Sequence, residues 1–138
     1  MRRFVLPALL VLGFACPAEL ATAQQQQIDC KDPTSTVEIN YCLEQDLKAA
    51  DADLNRVYQA ALRTVGKSDV MSPADREKWR ESLRKAQRLW VSFRDADCRD
   101  PITYEWWGGT GTTGAILGCL VEKTRARTKD LQTRYEDR

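Results

Sequence analysis

The 138-residue chain contains no histidine, and this absence excludes several kinds of site. Without an imidazole there is no Ser-His-Asp triad, no cysteine activated by histidine and no histidine metal ligand. The sequence also lacks an excess of either charge, with 21 Lys and Arg against 20 Asp and Glu. A nucleic-acid-binding protein needs surplus basic side chains to neutralise phosphates, so the balanced charge argues against this class. No phosphate loop or nucleotide fingerprint is present either.

The chain also lacks an apolar run long enough to cross a bilayer as a helix. The apolar run Phe4–Phe14 is too short, because a transmembrane helix needs about 20 residues. It follows the basic start Met1–Arg3 and precedes Ala21-Thr22-Ala23, which is the pattern of a secretory signal peptide. We therefore predict a signal peptide over residues 1–23 and a mature domain over 24–138, without a transmembrane segment and located in the periplasm or secreted.

Five cysteines are present, and the first lies in the predicted signal peptide. The sequence before Cys16 loosely resembles a bacterial lipobox, so a lipid anchor on Cys16 is the alternative to cleavage after Ala23. In both cases an even number remains in an exported chain, which predicts two disulfides. Zinc is the competing interpretation, but the spacings differ from the close ligand pairs of four-cysteine zinc sites. Pairing by proximity in sequence predicts the disulfides Cys30–Cys42 and Cys98–Cys119.

Three segments with helical periodicity predict an all-α bundle. Ser35 and Glu38 are spaced as a capping box, and the helix that follows is predicted over 36–65. Ser72-Pro73 opens the second helix, which we expect to stop before Cys98 because Asp100-Pro101 disfavours continuation. The predicted buried positions recur every three or four residues: Leu43, Leu47, Ala50, Leu54, Val57, Ala61 and Val65 in the first helix, Trp79, Leu83, Ala86, Trp90 and Phe93 in the second, and Leu117, Leu120, Val121, Thr124, Thr128, Leu131 and Tyr135 in the third.

The segment from Arg99 to Gly114 interrupts this periodicity and is rich in glycine and tryptophan. Long loops without regular structure are uncommon in compact domains and are often functional. The predicted fold is therefore a small three- to four-helix bundle with a long Gly/Trp-rich loop, closed at its base by the Cys98–Cys119 disulfide.

Charge is unevenly distributed along the chain despite the overall balance. Residues 24–62 carry 3 basic and 7 acidic side chains, whereas residues 63–99 carry 10 and 6. The simplest interpretation is an acidic helix beside a basic one. The alternative is an acidic face that meets a cationic partner.

Three spaced motifs identify a family resemblance. The first is Cys42 followed by Asp51-x-x-Leu54-Asn55-x-x-Tyr58, and the second is Gln87-x-x-Trp90-x-x-Phe93-Arg94-Asp95-x-x-Cys98. The third is Cys119 followed by Thr124-x-x-Arg127-x-x-x-Leu131. Together they resemble the LprI-like lysozyme-inhibitor family of small exported bacterial proteins, over nearly the whole mature chain. The resemblance implies that the protein binds and inhibits a lysozyme, without a cofactor or metal.

The motif residues also have a structural interpretation. Leu54 and Tyr58 lie one helical turn apart, and Trp90 lies in the predicted buried stripe. Arg94 at a helix interface needs an anionic partner, because an unpaired buried charge is costly. We hypothesise that Arg94 pairs with Asp46 or Asp51. Structural roles are accordingly predicted for Asp51, Leu54, Asn55, Tyr58, Gln87, Trp90, Arg94, Thr124 and Arg127.

The loop is the better candidate for contact with a partner protein. Tyr104, Trp106 and Trp107 offer rigid aromatic area of the kind found at binding hot spots. Arg99 is placed to pair with a carboxylate, and the cleft of a lysozyme holds two carboxyl groups. The competing interpretation is that both tryptophans fold back and cap the bundle.

Two other functions compete with inhibition. Asp95, Asp97 and Asp100 cluster near the loop, as a pair of glycosidase carboxylates would. Acidic residues are also common beside a proline turn, so we predict that the protein is not an enzyme. The second alternative is a periplasmic binding or scaffold protein with an envelope partner other than lysozyme.

Overall fold

A computed structural model describes residues 28–135 of the chain. The predicted signal peptide, its cleavage site and Cys16 lie outside these residues. Three helices make up the described part: α1 spans Thr36–Gly66, α2 spans Pro73–Glu105 and α3 spans Thr112–Tyr135. The all-α prediction is confirmed for residues 28–135, which contain no strand. None of these three helices is both long enough and apolar enough to cross a membrane.

Side-chain caps determine where α1 and α2 begin. The Glu38 backbone N–H donates to Ser35 Oγ (3.2 Å), and the Ser35 N–H donates back to Glu38 Oε2 (3.0 Å), which completes the predicted capping box. Hydrogen bonds from Thr34 and Ser35 hold the pKa of Glu38 below its ordinary value, with the Thr34 backbone N–H as the largest cause. Ser72 caps α2 in the same way, and Pro73 occupies the first turn.

The helices run up, down and up, so α1 and α3 lie parallel to each other. Gly114 at the start of α3 faces Asn40 and Leu43 near the start of α1. Tyr135 at the end of α3 packs against Trp79, with ring centroids 6.2 Å apart. One apolar cluster near the α1–α2 connection holds this far end together, and each of its large side chains contributes about 1.5–3 kcal/mol by burial. Its buried members are Leu54, Val57, Ala61, Leu62, Val65, Leu83, Leu131 and Tyr135.

The predicted buried stripe of α2 is wrong at two positions. Phe93 is 57% exposed, and Ala86 also faces solvent, whereas Leu83, Arg94 and Cys98 are buried. In a three-helix bundle, α2 contacts its neighbours along one narrow stripe, so positions beside that stripe stay in solvent. The Phe93 ring is partly covered by Lys123, whose Nζ lies 5.4 Å from the ring centroid.

The predicted end of α2 before Cys98 is also wrong, and so is the extent of the predicted loop. The helix continues through Pro101 to Glu105, and α3 already begins at Thr112. The six residues 106–111 are therefore all that remains of the predicted loop from Arg99 to Gly114. Proline in a helix interior costs about 3 kcal/mol, but tertiary contacts can override such a local preference. Here Cys98 is fully buried and bonded to Cys119 of α3 in the turn before Pro101.

Candidate functional site

Both disulfides lie at the end of the bundle where α1 and α3 begin and α2 finishes. Cys30–Cys42 ties the segment before α1 onto that helix, with its Cα atoms 5.5 Å apart. Cys98–Cys119 joins α2 to α3, with its Cα atoms 5.6 Å apart. Two disulfides were expected from the cysteine count, and the pairs are those nearest in sequence. We call this region the disulfide end of the molecule.

Arg94 connects all three helices in the middle of the bundle. Its Nη1 donates to Asp51 Oδ1 of α1 (2.7 Å) and to Thr124 Oγ1 of α3 (2.8 Å). Its Nε donates to Asp95 Oδ1 (2.9 Å) within α2. The carboxylate partner from α1 is Asp51, and Asp46 pairs instead with Arg125. The Arg94 guanidinium therefore has its charge balanced although the residue is only 9% exposed.

A second guanidinium joins α2 and α3 one turn along. Arg127 Nε donates to Gln87 Oε1 (3.2 Å), and Arg127 also pairs with Asp130. Both guanidinium carbons face the Trp90 ring, that of Arg94 at 5.4 Å and that of Arg127 at 5.9 Å from its centroid. These motif residues thus contact one another across the helix interfaces.

The remaining motif residues are not part of this network. Leu54 is buried in the core, and Tyr58 packs against the core from its edge. Asn55 faces solvent on α1.

The aromatic residues predicted for partner contact lie at the disulfide end and are accessible. Tyr104 is 80% exposed, Trp106 is 50% exposed and Trp107 is 93% exposed. These three residues, here called the aromatic tip, fall within four consecutive positions at the end of α2. Arg99 is exposed as well, but it lies five residues before Tyr104 and so about 140° around the helix from it. The structure therefore brings the three aromatic residues together and places Arg99 on another side of the same end.

Trp107 has a backbone conformation that is unusual for a large residue. Its φ is +52°, and Gly108 follows with φ +65°. The Trp107 N–H donates to the Tyr104 carbonyl (3.1 Å), and the Gly108 N–H donates to the Thr103 carbonyl (3.2 Å). These two bonds form a Schellman motif in which Trp107 occupies the left-handed position that usually holds glycine. A residue with a Cβ pays about 1–2 kcal/mol there, and burial of the exposed Trp107 ring offsets almost none of it.

Trp106 is held in place by the short connection that follows it. Its carbonyl accepts from the Gly109 N–H (2.9 Å), and its ring lies directly over Gly111. A Cβ at Gly111 would overlap the Trp106 ring, so only glycine at this position allows the ring to lie there. Trp106 is thus positioned while half of its surface remains free.

The first turns of α1 add apolar surface at the same end, which sequence analysis missed. Val37 is 74% exposed and Tyr41 is 43% exposed. They are four residues apart on one helix face and lie outside the periodic positions that begin with Leu43. Their position outside this periodic pattern could have indicated their exposure from sequence, because an apolar residue off the buried stripe of a helix faces solvent or a partner.

The acidic residues considered for catalysis are dispersed. Asp95 pairs with Arg94, and Asp97 pairs with Lys123 Nζ (2.8 Å). Asp100 is exposed on the last turns of α2. Within residues 28–135, no three His, Cys, Asp or Glu side chains group together as metal ligands would.

The fold and the disulfide end define a class of protein: a small, disulfide-bonded, all-helical domain that presents aromatic side chains to solvent. Residues 29–131 match the profile of the family described as "Lysozyme inhibitor LprI". Because the match covers well over half of the sequence, the chain belongs to the LprI family.

Two curated proteins are also similar to this chain. The chain is similar to "Uncharacterized protein R02472" of Rhizobium meliloti (strain 1021), with 37% identity over 137 residues that cover 97% of the chain and 96% of the relative. It is also similar to "Uncharacterized protein YecT" of Escherichia coli (strain K12), with 31% identity over 121 residues that cover 77% of the chain and 68% of the relative. No solved structure matches.

Proposed function

We propose that this protein binds a lysozyme directly and inhibits it, and that the aromatic tip and Arg99 make the contact. Membership of the LprI family is the observation that carries the proposal, because it supplies the class of partner. The proposed action is binding rather than catalysis, and it requires no cofactor.

The chemistry of the tip suits insertion into an enzyme cleft. A lysozyme cleaves glycans between two carboxyl groups at the base of a groove. Trp106 and Trp107 provide rigid apolar area. Burial of this area against a partner lowers the free energy of binding, as it does for anchor residues at protein interfaces. Arg99, further around the same end, is suited to pair with a carboxylate at the rim of the cleft.

The conformation of Trp107 supports a role in binding. Backbone strain that folding does not explain is concentrated at functional sites. A tryptophan in a left-handed position costs free energy in the isolated protein and returns almost none of it through burial there. A partner that buries this ring would supply the compensating interaction.

The proposed location follows from the predicted signal peptide and the disulfides. We propose that residues 1–23 are removed on export and that the domain acts in the periplasm or outside the cell, with acylation of Cys16 as the less favoured route. The two disulfides suit an oxidising compartment.

The test replaces the tip and measures binding by isothermal titration calorimetry against lysozymes of several classes. Trp106→Ala combined with Trp107→Ala is expected to weaken binding at least about thirtyfold, because a hot-spot tryptophan contributes about 2 kcal/mol or more. The matched control is Leu89→Ala combined with Phe93→Ala, which removes two exposed apolar side chains from the middle of α2.

The control variant is expected to bind like the wild type. If the tip variant stays folded and binds with unchanged affinity, the aromatic tip is not the contact site. If both variants bind equally weakly, the interface extends along α2 and the proposed site is wrong.

A further inference from the structure

A groove of about 740 Å³ runs between α1 and α2, apart from the disulfide end. Four arginines line it: Arg63 on α1, and Arg80, Arg84 and Arg88 on α2. The three on α2 are spaced by four residues and form a row along the helix, about 6 Å apart. No acidic side chain is among the residues that line the groove.

The positive charge of this arginine groove is only partly balanced. Glu77, just outside it, pairs with Arg84 (2.8 Å) and with Arg80 (3.4 Å). The hydrogen bond from Arg84 lowers the pKa of Glu77, so this carboxylate is charged at neutral pH. Arg63 and Arg88 form no ion pair with any residue in the range 28–135. Arg80 Nε is buried without an acceptor, which leaves further hydrogen-bonding capacity unused.

The other surfaces of the groove indicate what kind of anion it would accept. Tyr58, Leu62 and Val91 contribute apolar area. Gln59 adds an exposed amide group, which both donates and accepts hydrogen bonds as a peptide backbone requires. A phosphate polymer offers only acceptors and little apolar surface, so it would leave the amide oxygen and the apolar area unmatched.

The spacing of the arginine row also matches a peptide. Alternate residues of an extended chain point to the same side and repeat every 6.6–6.8 Å or so, which is close to the about 6 Å between successive arginines. Carboxylates at alternate positions would therefore meet successive guanidinium groups. Pairs between Arg and carboxylate are among the stronger charge-assisted hydrogen bonds.

We propose that the arginine groove binds an acidic segment of a partner protein in an extended conformation, with alternate carboxylates on Arg80, Arg84 and Arg88. This surface is separate from the aromatic tip, because Arg88 lies about 24 Å along α2 before Tyr104. The protein would then have two binding surfaces: the aromatic tip for lysozyme, and the arginine groove for an acidic protein segment.

The test uses a short fluorescent peptide that alternates glutamate and valine, with fluorescence anisotropy as the readout. Arg63→Gln combined with Arg88→Gln removes the two arginines without an ion pair. The matched control, Lys48→Gln combined with Lys129→Gln, removes two exposed charges on α1 and α3 away from the groove. We expect the groove variant to bind the peptide at least about tenfold more weakly and the control to bind nearly as the wild type does. Circular dichroism checks that both variants are folded.

Three results would overturn the proposal. The first is equal weakening by both double variants, which would show attraction to overall charge alone. The second is equal binding of a peptide with glutamine in place of glutamate, which would exclude recognition of carboxylates. The third is displacement of the peptide by polyphosphate at lower concentration, which would identify a phosphate polymer as the ligand class. Lysozyme inhibition is measured in parallel, so failure of this proposal is distinguishable from failure of the proposed inhibition.

Discussion

At the scale of single residues, Trp107 is the residue whose expected effects on stability and on the proposed partner binding differ most clearly. It is 93% exposed and occupies a left-handed position that glycine would occupy without strain. Most exposed side chains can be replaced with little effect on stability. Trp107, in contrast, is expected to destabilise the protein, because its Cβ is strained in the left-handed conformation. Replacing Trp107 by glycine should therefore raise stability and weaken partner binding.

Trp107→Gly is therefore expected to raise the free energy of unfolding by about 1 kcal/mol, because the strain of the Cβ is removed. The same variant should bind lysozyme more weakly. Leu89→Gly is the matched control, since glycine at this exposed position inside α2 should lower stability by about 1 kcal/mol. Urea unfolding measures both. If Trp107→Gly lowers stability as Leu89→Gly does, the tryptophan stabilises the fold and its backbone is not a source of strain.

Arg94 shows the contrary case of a charged residue that serves the fold. Arg94→Met removes hydrogen bonds to Asp51, Asp95 and Thr124, and we expect it to cost about 2 kcal/mol of stability. Arg125→Met is the control, because its ion pair with Asp46 has both side chains more than half exposed. This control should cost less than about 1 kcal/mol in the same denaturant titration. Equal stability of the Arg94 variant and the wild type would contradict a structural role for the network.

At the scale of elements, the helix starts could be predicted from sequence and the end of α2 could not. Ser35 with Glu38, and Ser72 with Pro73, are local signals whose partners lie within one turn. Pro101 is a local signal for a helix end as well, but a disulfide to another helix and the burial of Cys98 oppose it. Such contacts over long sequence separations cannot be read from the periodicity of one segment.

The candidate site shows the same division. The aromatic residues and their position near a disulfide were predictable from composition and cysteine spacing. Two other features depend on how the six-residue connection between α2 and α3 folds. They are the left-handed backbone of Trp107 and the packing of the Trp106 ring against Gly111. Exposure of Phe93 likewise depends on how narrow the contact of α2 with its neighbours is.

The Cys98–Cys119 disulfide is expected to hold the last turns of α2. Cys98→Ala combined with Cys119→Ala should cost about 3 kcal/mol of stability, since the closed loop is longer than 15 residues. Hydrogen exchange should become faster at the amides from Ile102 to Glu105, because Pro101 disfavours the helix there once the disulfide is gone. The double variant Cys30→Ala with Cys42→Ala should leave exchange at these amides unchanged. Unchanged protection in the first variant would show that packing alone carries the helix past Pro101.

At the scale of the whole molecule, the proposed aromatic contact surface lies apart from the apolar core. The large apolar cluster lies near the α1–α2 connection, whereas the aromatic tip lies at the disulfide end. The arginine groove lies between α1 and α2 and borders this cluster at Leu62. A small bundle can therefore present two chemically distinct surfaces, one aromatic and one cationic, without exposing its core.

Lysozyme inhibition itself is tested by titrating purified, oxidised protein into a cell-wall lysis assay with lysozymes of several classes. We expect at least one class to be inhibited stoichiometrically, and we expect Trp106→Ala combined with Trp107→Ala to remove the inhibition. Inhibition of no class, by protein shown to contain both disulfides, would contradict the proposed function. It would favour instead a binding or scaffold protein with another partner in the envelope.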